Sequence, residues 1–201
     1  MKIAVMSDIH GNIYALMKTL EDIDEQRVDK IICLGDLVGY GPHPNEVIAL
    51  IKRREIPCIK GNYDASVVDG DFTFIRNTAI NSFALPWTCE EVRVSNKYYL
   101  DSLPTSLKYT FNGVNILFTH GSPNAINEYL FEDAENTKKV MTEYEGDVLV
   151  CAHTHIPFTK KFNNKTLINV GSVGKPKIGK PNPTYTIIEI KDNGEIVVQV
   201  R

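Results

Sequence analysis

The feature that most constrains the fold is the alternation of short apolar runs with helix-like segments over the first 64 residues. The apolar runs predict strands at 3–6, 31–34 and 56–60, with helical periodicity between them. Asn12 is a suitable N-cap for the first helix, and Pro44 suits the first position of the second. This β-α-β-α-β order predicts a parallel sheet, whose ligands bind beyond the carboxyl ends of the strands.

Composition limits the class of protein. The chain has 201 residues and a formal net charge of −3, which suits one domain, and we predict a single domain over residues 1–201. The weakly negative charge makes a nucleic-acid partner unlikely. The N-terminal apolar run is too short for a signal peptide or a membrane helix, so we expect a cytoplasmic protein without a membrane partner. Cys33, Cys58 and Cys151 lie in apolar runs and are expected to be small buried residues.

Residues 65–105 lack strand-like runs and are interpreted as a helical insertion beside the functional site. Helices are expected over 77–84 and 96–102. The insertion contributes aromatic side chains that we expect to pack in the core rather than to bind substrate, namely Phe72, Phe74, Phe83 and Trp87.

The second half of the chain has the pattern of strands. Asn112-Gly113 predicts a type I′ hairpin, a helix is expected over 132–144, and a buried strand over 148–152. The remaining segments are predicted to form a strand meander, at 158–162, 166–170, 184–190 and 196–200.

Seven polar side chains follow the predicted strands: Asp8, His10, Asp36, Asn62, His120, His153 and His155. Four of the five histidines belong to this set, and only His43 lies outside it. Asp8 with His10, and His153 with His155, have i, i+2 spacing, which in an extended segment directs both side chains to one side. Oxygen and imidazole donors at one sheet edge predict a transition-metal site.

The number and type of these donors favour two metal ions. Seven donors without a thiolate exceed one tetrahedral site, and structural zinc prefers cysteine. Asp36 is the natural bridge, because a carboxylate has two oxygens that can face two cations. Two divalent ions and two carboxylates leave a charge of about +2, which attracts phosphate. Such a centre can activate water and stabilise in-line displacement at phosphorus.

Five sequence blocks then support a family assignment: Asp8-x-His10, Gly35-Asp36-x-x-Gly39, Gly61-Asn62-x-Asp64, His120-Gly121 and His153-x-His155. In this order they closely resemble the calcineurin-like metallophosphoesterases, and the compact length resembles their small prokaryotic phosphodiesterase branch. The resemblance implies an α/β (α+β sandwich) fold: two facing mixed β-sheets flanked by helices, in the four-layer architecture of metallo-dependent phosphatases.

The resemblance also implies residue roles. One metal would be bound by Asp8, His10, Asp36 and His155. The other would be bound by Asp36, Asn62, His120 and His153. Catalytic roles fall on Asp64, which would orient its neighbours, on His120 and on Tyr63. Most family members carry a histidine at the Tyr63 position, thought to protonate the leaving group, so Tyr63 is a substitute acid, a substrate contact or a packing residue.

Two further features lie near these blocks. Gly171-Ser172 matches a Gly-Ser turn found near the family's site. The following loop carries Lys175, Lys177 and Lys180. For that loop we favour a solvated role over phosphate steering.

These expectations favour a phosphodiesterase in which a metal-bridging hydroxide attacks a small phosphate ester. Two divalent ions are expected, with manganese favoured and iron, nickel, cobalt or zinc as alternatives. A phosphomonoesterase or a dinucleoside polyphosphate hydrolase is the alternative enzyme. A metal-binding interaction scaffold with weak catalysis is the alternative from another class.

Overall fold

The structure is a computed structural model that describes residues 1–73 and 75–201; Phe74, one of the aromatic residues assigned to the insertion, lies outside the described residues. The elements follow in the order β1 (Lys2–Met6), α1 (Ile13–Glu25), β2 (Lys30–Cys33), α2 (Pro44–Arg53), α3 (Asn62–Asp69), α4 (Ala79–Glu91), α5 (Val94–Ser102), β3 (Ser106–Phe111), β4 (Val114–Thr119), α6 (Glu135–Glu143), β5 (Val148–Cys151), β6 (Phe158–Phe162), β7 (Lys165–Asn169), β8 (Thr186–Ile190) and β9 (Ile196–Val200).

The strands form two mixed sheets. The first has the order β2-β1-β8-β9, with β1 parallel to β2 and antiparallel to β8. The second has the order β3-β4-β5-β7-β6, with β4, β5 and β7 parallel and the outer strands antiparallel. Each sheet therefore has a pair of parallel strands whose carboxyl ends lie at the same edge, β1 with β2 and β4 with β5.

The two sheets face each other across an apolar core. Val5 from β1 and Phe118 from β4 are fully buried in it. Met6, the neighbour of Val5, points to the opposite face of β1 and packs with residues of helices α1 to α5. On the outer face of the second sheet, Met141 of α6 packs against Leu149 of β5. These four layers, helices, sheet, sheet and helix, confirm the predicted fold class.

Two sequence-based expectations about strands are wrong. At 56–60 no strand forms; a single parallel bridge joins Cys33 to Cys58. Pro57 lies beside that bridge, and its missing N–H prevents a continuous ladder. The last four strands form no single meander, because β8 pairs with β1 in the first sheet while β6 and β7 remain in the second.

The insertion is helical, but its boundaries differ from the prediction. Helix α3 already begins at Asn62, and α4 continues past the predicted end at 84 to Glu91. It continues because Leu85 and Thr88 in its second half are buried against the helical core. Helix α6 is shorter than the predicted 132–144. Phe83, expected in the core, is 76% exposed.

Other predictions from short sequence patterns are confirmed. The Asn12 side chain caps α1 by accepting from the N–H of Ala15 at 3.1 Å. Asn112 and Gly113 both have positive φ, as a type I′ turn requires. Cys33, Cys58 and Cys151 are buried free thiols.

Within the described ranges, no helix combines the length and apolar character needed to cross a membrane. We retain a single domain over 1–201 as a proposal, since β8 completes the sheet that β1 begins.

Candidate metal centre

The seven predicted donors converge between the two sheets. Asp8 follows β1 and Asp36 follows β2, whereas His120 and the pair His153 and His155 follow β4 and β5. Asn62 is the first residue of α3. All seven side chains are buried, with exposures of at most 5%. Because the parallel pairs end at the same edge of each sheet, residues that follow four different strands meet in one place, together with Asn62.

The local backbone differs from the extended geometry expected for the i, i+2 pairs. Asp8 and His10 have φ of 53° and 50°, and His153 and His155 have 63° and 62°. The backbone of Asp36 is left-handed as well, with a φ of 52°. The expected geometry is therefore wrong, although the side chains do meet. Left-handed backbone costs about 1–2 kcal/mol per non-glycine residue, and such strain is concentrated at functional sites.

Asp8, His10 and His155 form the first donor group. The Nε2 atom of His155 lies 3.1 Å from Oδ1 of Asp8 and 3.4 Å from Nε2 of His10. Nε2 of His10 lies 3.6 Å from the same Asp8 oxygen. These donor atoms all lie within 4.8 Å of one another, so the group can hold a metal ion.

Asp36, His120 and His153 form a second group of the same kind. Nε2 of His120 lies 3.4 Å from Oδ2 of Asp36 and 2.9 Å from Oδ1 of Asn62. The two groups adjoin, since Oδ2 of Asp36 is also 3.7 Å from Nε2 of His10. One carboxylate oxygen thus lies beside donor atoms of both groups.

The donor atoms themselves indicate that cations belong here. Oδ1 of Asp8, Oδ2 of Asp36 and Nε2 of His153 are buried and form no hydrogen bond within the described residues. A buried polar atom without a partner is costly, and a buried carboxylate oxygen more so. A divalent cation would remove that cost. The residues therefore fit two metal ions that accept oxygen and imidazole ligands.

Backbone carbonyls orient three of the imidazoles. Nδ1 of His10 contacts the carbonyl oxygen of Val38 at 3.0 Å, and Nδ1 of His120 contacts that of Leu34 at 2.7 Å. Nδ1 of His155 likewise contacts a backbone carbonyl oxygen, that of Lys175. A carbonyl can only accept, so each contact favours the tautomer protonated at Nδ1. The Nε2 lone pair then faces the centre, as a metal ligand requires.

Charge in the centre favours the same conclusion. Burial raises the pKa of the Asp8 carboxyl, but His155 and His10 outweigh burial and hold that pKa well below its usual range. Burial lowers the pKa of His120, whereas the Asp36 charge raises it to about 10. Burial and the charge of His120 lower the pKa of His153 to about 4. Both carboxylates stay ionised, and binding of a cation would displace the His120 proton.

Asp64 contacts the backbone that carries Asp36. Its carboxylate accepts from the N–H groups of Asp36 at 2.7 Å, Leu37 at 2.9 Å and Gly61 at 2.9 Å. Burial and the Asp36 charge raise the pKa of Asp64 to about 7, while these donors lower it. The Asp64 carboxylate therefore fixes the backbone of the loop that carries Asp36.

The Tyr63 side chain forms one wall of the centre. Its ring lies 4.9 Å from the His10 ring in an edge-on arrangement. Its hydroxyl donates to Oδ1 of Asn81 at 3.0 Å and is hydrogen-bonded to the Tyr40 hydroxyl. Burial and the Tyr40 hydroxyl raise the pKa of Tyr63 above its usual value.

Several residues that contact the centre were not predicted from the sequence. The Tyr129 ring lies 4.0 Å from the His153 ring, and Asn81 reaches Tyr63 from α4. Neither belongs to a recognisable motif, so sequence offered no signal for them. Ser172 was expected near the site, and its Oγ donates to the backbone carbonyl of Asp8 at 2.9 Å. His43 instead packs against Tyr14.

Comparison with known proteins agrees with this geometry. A family model described as the calcineurin-like phosphoesterase superfamily domain matches residues 1–193. An uncharacterized protein of Methanocaldococcus jannaschii is 35% identical, over 98% of this chain and 86% of that protein. Phosphodiesterase YfcE of Escherichia coli K12 is 26% identical, over 100% of this chain and 97% of that protein. The crystal structure of a metallophosphoesterase from Sphaerobacter thermophilus superposes with a TM-score of 0.81 at 28% identity, covering 100% of this chain and 87% of that one.

Proposed function

Because this chain belongs to the calcineurin-like phosphoesterase superfamily, we propose that it is a metal-dependent phosphodiesterase with a dinuclear centre. One observation carries the proposal: Oδ2 of Asp36, buried and without a hydrogen bond, lies 3.7 Å from Nε2 of His10 and 3.4 Å from Nε2 of His120. A carboxylate placed between two donor groups is suited to bridge two cations.

The proposal assigns ligands to two sites that share Asp36. The first set is Asp8, His10, Asp36 and His155. The second set is Asp36, Asn62, His120 and His153. When bound, two divalent ions, with manganese proposed, would supply activation of a water molecule and neutralisation of the phosphoryl oxygens. Direct attack by that activated water predicts that no covalent phosphoenzyme forms.

The protein's own groups prepare this chemistry. Asp64 fixes the Asp36 loop through backbone N–H donors, and carbonyl contacts orient His10 and His120. The Tyr63 hydroxyl is held by Asn81 and Tyr40. It is therefore poorly placed to protonate a leaving group. General acid help is worth about 10²–10⁴-fold, so we propose that esters with good leaving groups are hydrolysed best.

Two alternative functions correspond to other outcomes of the test described below. A phosphomonoesterase or dinucleoside polyphosphate hydrolase would use the same donor set and differ only in the pocket walls. A scaffold with weak catalysis would bind metal without turnover. The complete donor set supports an enzyme, because a scaffold does not need an unpartnered carboxylate oxygen in each donor group.

The test compares bis(p-nitrophenyl) phosphate with p-nitrophenyl phosphate, using metal-stripped protein before and after addition of Mn²⁺. We expect metal-dependent turnover with preference for the diester. Asp36→Asn should lose turnover and bound metal, whereas Asp101→Asn, an exposed aspartate that pairs with Lys60, should keep both. His153→Ala and His43→Ala form a second matched pair, because His43 lies outside the centre.

The outcomes separate the hypotheses. A preference for the monoester would select the phosphomonoesterase. Protein that holds two metal ions by elemental analysis but hydrolyses neither ester would select the scaffold. Full metal content and turnover in Asp36→Asn would refute the shared carboxylate.

A further inference from the structure

We propose that Lys175 and Lys177 form an anion-binding rim beside the metal centre, which selects phosphodiesters that carry a second phosphate group. This inference rests on the proposed function, since it names the substrate class of the same site. It also revises the expectation that the lysine loop is merely solvated, because the loop is fastened to the centre.

The backbone of the loop is tied to residues of the centre. The carbonyl oxygen of Lys175 contacts Nδ1 of His155 at 2.6 Å, and the N–H of Lys177 donates to the carbonyl oxygen of His155 at 3.1 Å. The N–H of Lys175 donates to Oγ of Ser172, which itself donates to the carbonyl oxygen of Asp8. These bonds fix where the two lysine side chains begin.

The Lys175 side chain is directed along the wall of the centre. Its Nζ lies 3.3 Å from the centre of the Tyr40 ring. That ring in turn lies 4.9 Å from the His10 ring. A cation over an aromatic face is held by the ring quadrupole without losing its charge. Tyr40 therefore holds a positive charge beside the first donor group.

Lys177 adds a second positive charge to the same loop, two residues after Lys175. Its backbone N–H donates to the carbonyl oxygen of His155 at 3.1 Å, which fixes the start of its side chain beside the first donor group. The Lys177 side chain is exposed, so its amine can contact a bound ligand.

These two lysines are available to a ligand. Among the residues that the structure describes, no carboxylate lies within ion-pair distance of Lys175 or Lys177. Two unpaired lysines on a loop that is hydrogen-bonded to His155 favour an additional anionic group on the ligand.

The metal ions of the proposed function already account for the scissile phosphate. A simple diester has a single negative charge, which leaves the rim without a partner. A terminal phosphate adds about −1.5 to −2 charges at pH 7. A diester with such a group nearby would satisfy the metal centre and the rim together.

The test uses two chromogenic diesters that differ by one group: thymidine 5′-(p-nitrophenyl phosphate) with and without a 3′-phosphate. For the Mn²⁺-loaded protein we expect kcat/KM to be about tenfold higher for the 3′-phosphorylated diester, mainly through KM, since charge-assisted hydrogen bonds are the strong ones. About 0.5 M salt should reduce this preference, because the rim is partly exposed.

Matched lysine variants locate the effect. Lys175→Ala should remove most of the preference, while Lys175→Arg should retain the preference. Lys180→Ala, an exposed lysine from the same loop, should behave as wild type. Equal values of kcat/KM for the two diesters, or an unchanged preference in Lys175→Ala, would overturn the rim while the phosphodiesterase stands.

A binding measurement keeps the two proposals separable. Calorimetry compares thymidine 3′,5′-bisphosphate with thymidine 5′-monophosphate on the Mn²⁺-loaded protein. If neither diester is hydrolysed, tighter binding of the bisphosphate that is lost in Lys175→Ala supports the rim although the proposed function fails. Equal affinity for both nucleotides overturns the rim.

Discussion

Oδ2 of Asp64 accepts a hydrogen bond from the backbone N–H of Asp36 at 2.7 Å, and Oδ1 accepts from the N–H of Leu37 at 2.9 Å. The carboxylate is fully buried in the first turn of α3. It therefore holds the left-handed backbone of Asp36, the residue that lies between the two donor groups.

Asp64→Asn tests this positioning role. An amide keeps one acceptor but brings an NH₂ group against backbone N–H donors. We expect metal affinity to fall roughly 10–100-fold and the free energy of unfolding to fall by about 1–3 kcal/mol. Chelator competition and denaturant unfolding measure the two quantities. Asp69→Asn, an exposed aspartate on the same helix, is the control, and an unchanged metal affinity in Asp64→Asn would contradict the role.

Two glycines at the ends of α3 give a second prediction. A Cβ on Gly61 would lie 2.2 Å from Oδ1 of Asp36, whereas a Cβ on Gly70 would meet nothing within 4 Å. Gly61→Ala should displace the Asp36 carboxylate, reduce bound metal and cost about 1–3 kcal/mol from overpacking. Gly70→Ala, at φ of +66°, should cost about 1 kcal/mol from backbone strain alone and keep its metal. Elemental analysis and urea unfolding distinguish them; equal metal content would refute the steric argument.

Tyr63→Phe tests whether the hydroxyl donates a proton. The hydroxyl is bonded to Asn81 and Tyr40, so its removal should cost about 1 kcal/mol of stability. Turnover should change by the same factor for bis(p-nitrophenyl) phosphate and for a thymidine dinucleotide, whose leaving group needs a proton. A loss above about tenfold that is confined to the dinucleotide would identify Tyr63 as the acid.

The hydrogen bonds of the Asp22 carboxylate to Arg201 and Tyr185 make the free energy of unfolding depend on pH. Oδ1 of Asp22 accepts from Arg201 at 2.7 Å, and Oδ2 accepts from Tyr185. These partners hold the pKa of Asp22 below its usual value. The stabilisation is therefore present above the unfolded-state pKa, about 3.9, and is lost as pH falls through the folded-state pKa.

The variant that checks this dependence is Asp22→Asn. The side chain is 36% exposed, so solvent screening limits the expected loss at pH 7 to about 0.5–1 kcal/mol. Urea unfolding at pH 7 and near pH 3 should show a smaller difference from wild type at the lower pH, because the stabilisation declines as pH falls from the unfolded-state pKa through the folded-state pKa. An equal difference at both pH values would mean that packing, not charge, is responsible.

Local sequence signals succeeded where one segment determines the result. Asn12 caps α1 because its side chain needs only the N–H three residues later. The proximity of Asp8 and Asp36 could be predicted because the carboxyl ends of the parallel strands β1 and β2 lie at one sheet edge. The left-handed backbone of Asp8 and His10 could not be predicted, since it is imposed by contacts such as the bond from the His10 N–H to the Asp36 carbonyl.

The sequence by itself determined β1, α1, β2 and α2, because periodicity is a property of neighbouring residues. The two-sheet fold class was implied by the resemblance of the five sequence blocks to the calcineurin-like metallophosphoesterases. Only the tertiary structure decided that β8 joins β1, that Asp36 lies between two groups of donor atoms, and that Lys175 reaches Tyr40. Each of these depends on residues far apart in the chain. Their proximity follows from packing two sheets face to face, which no local pattern encodes.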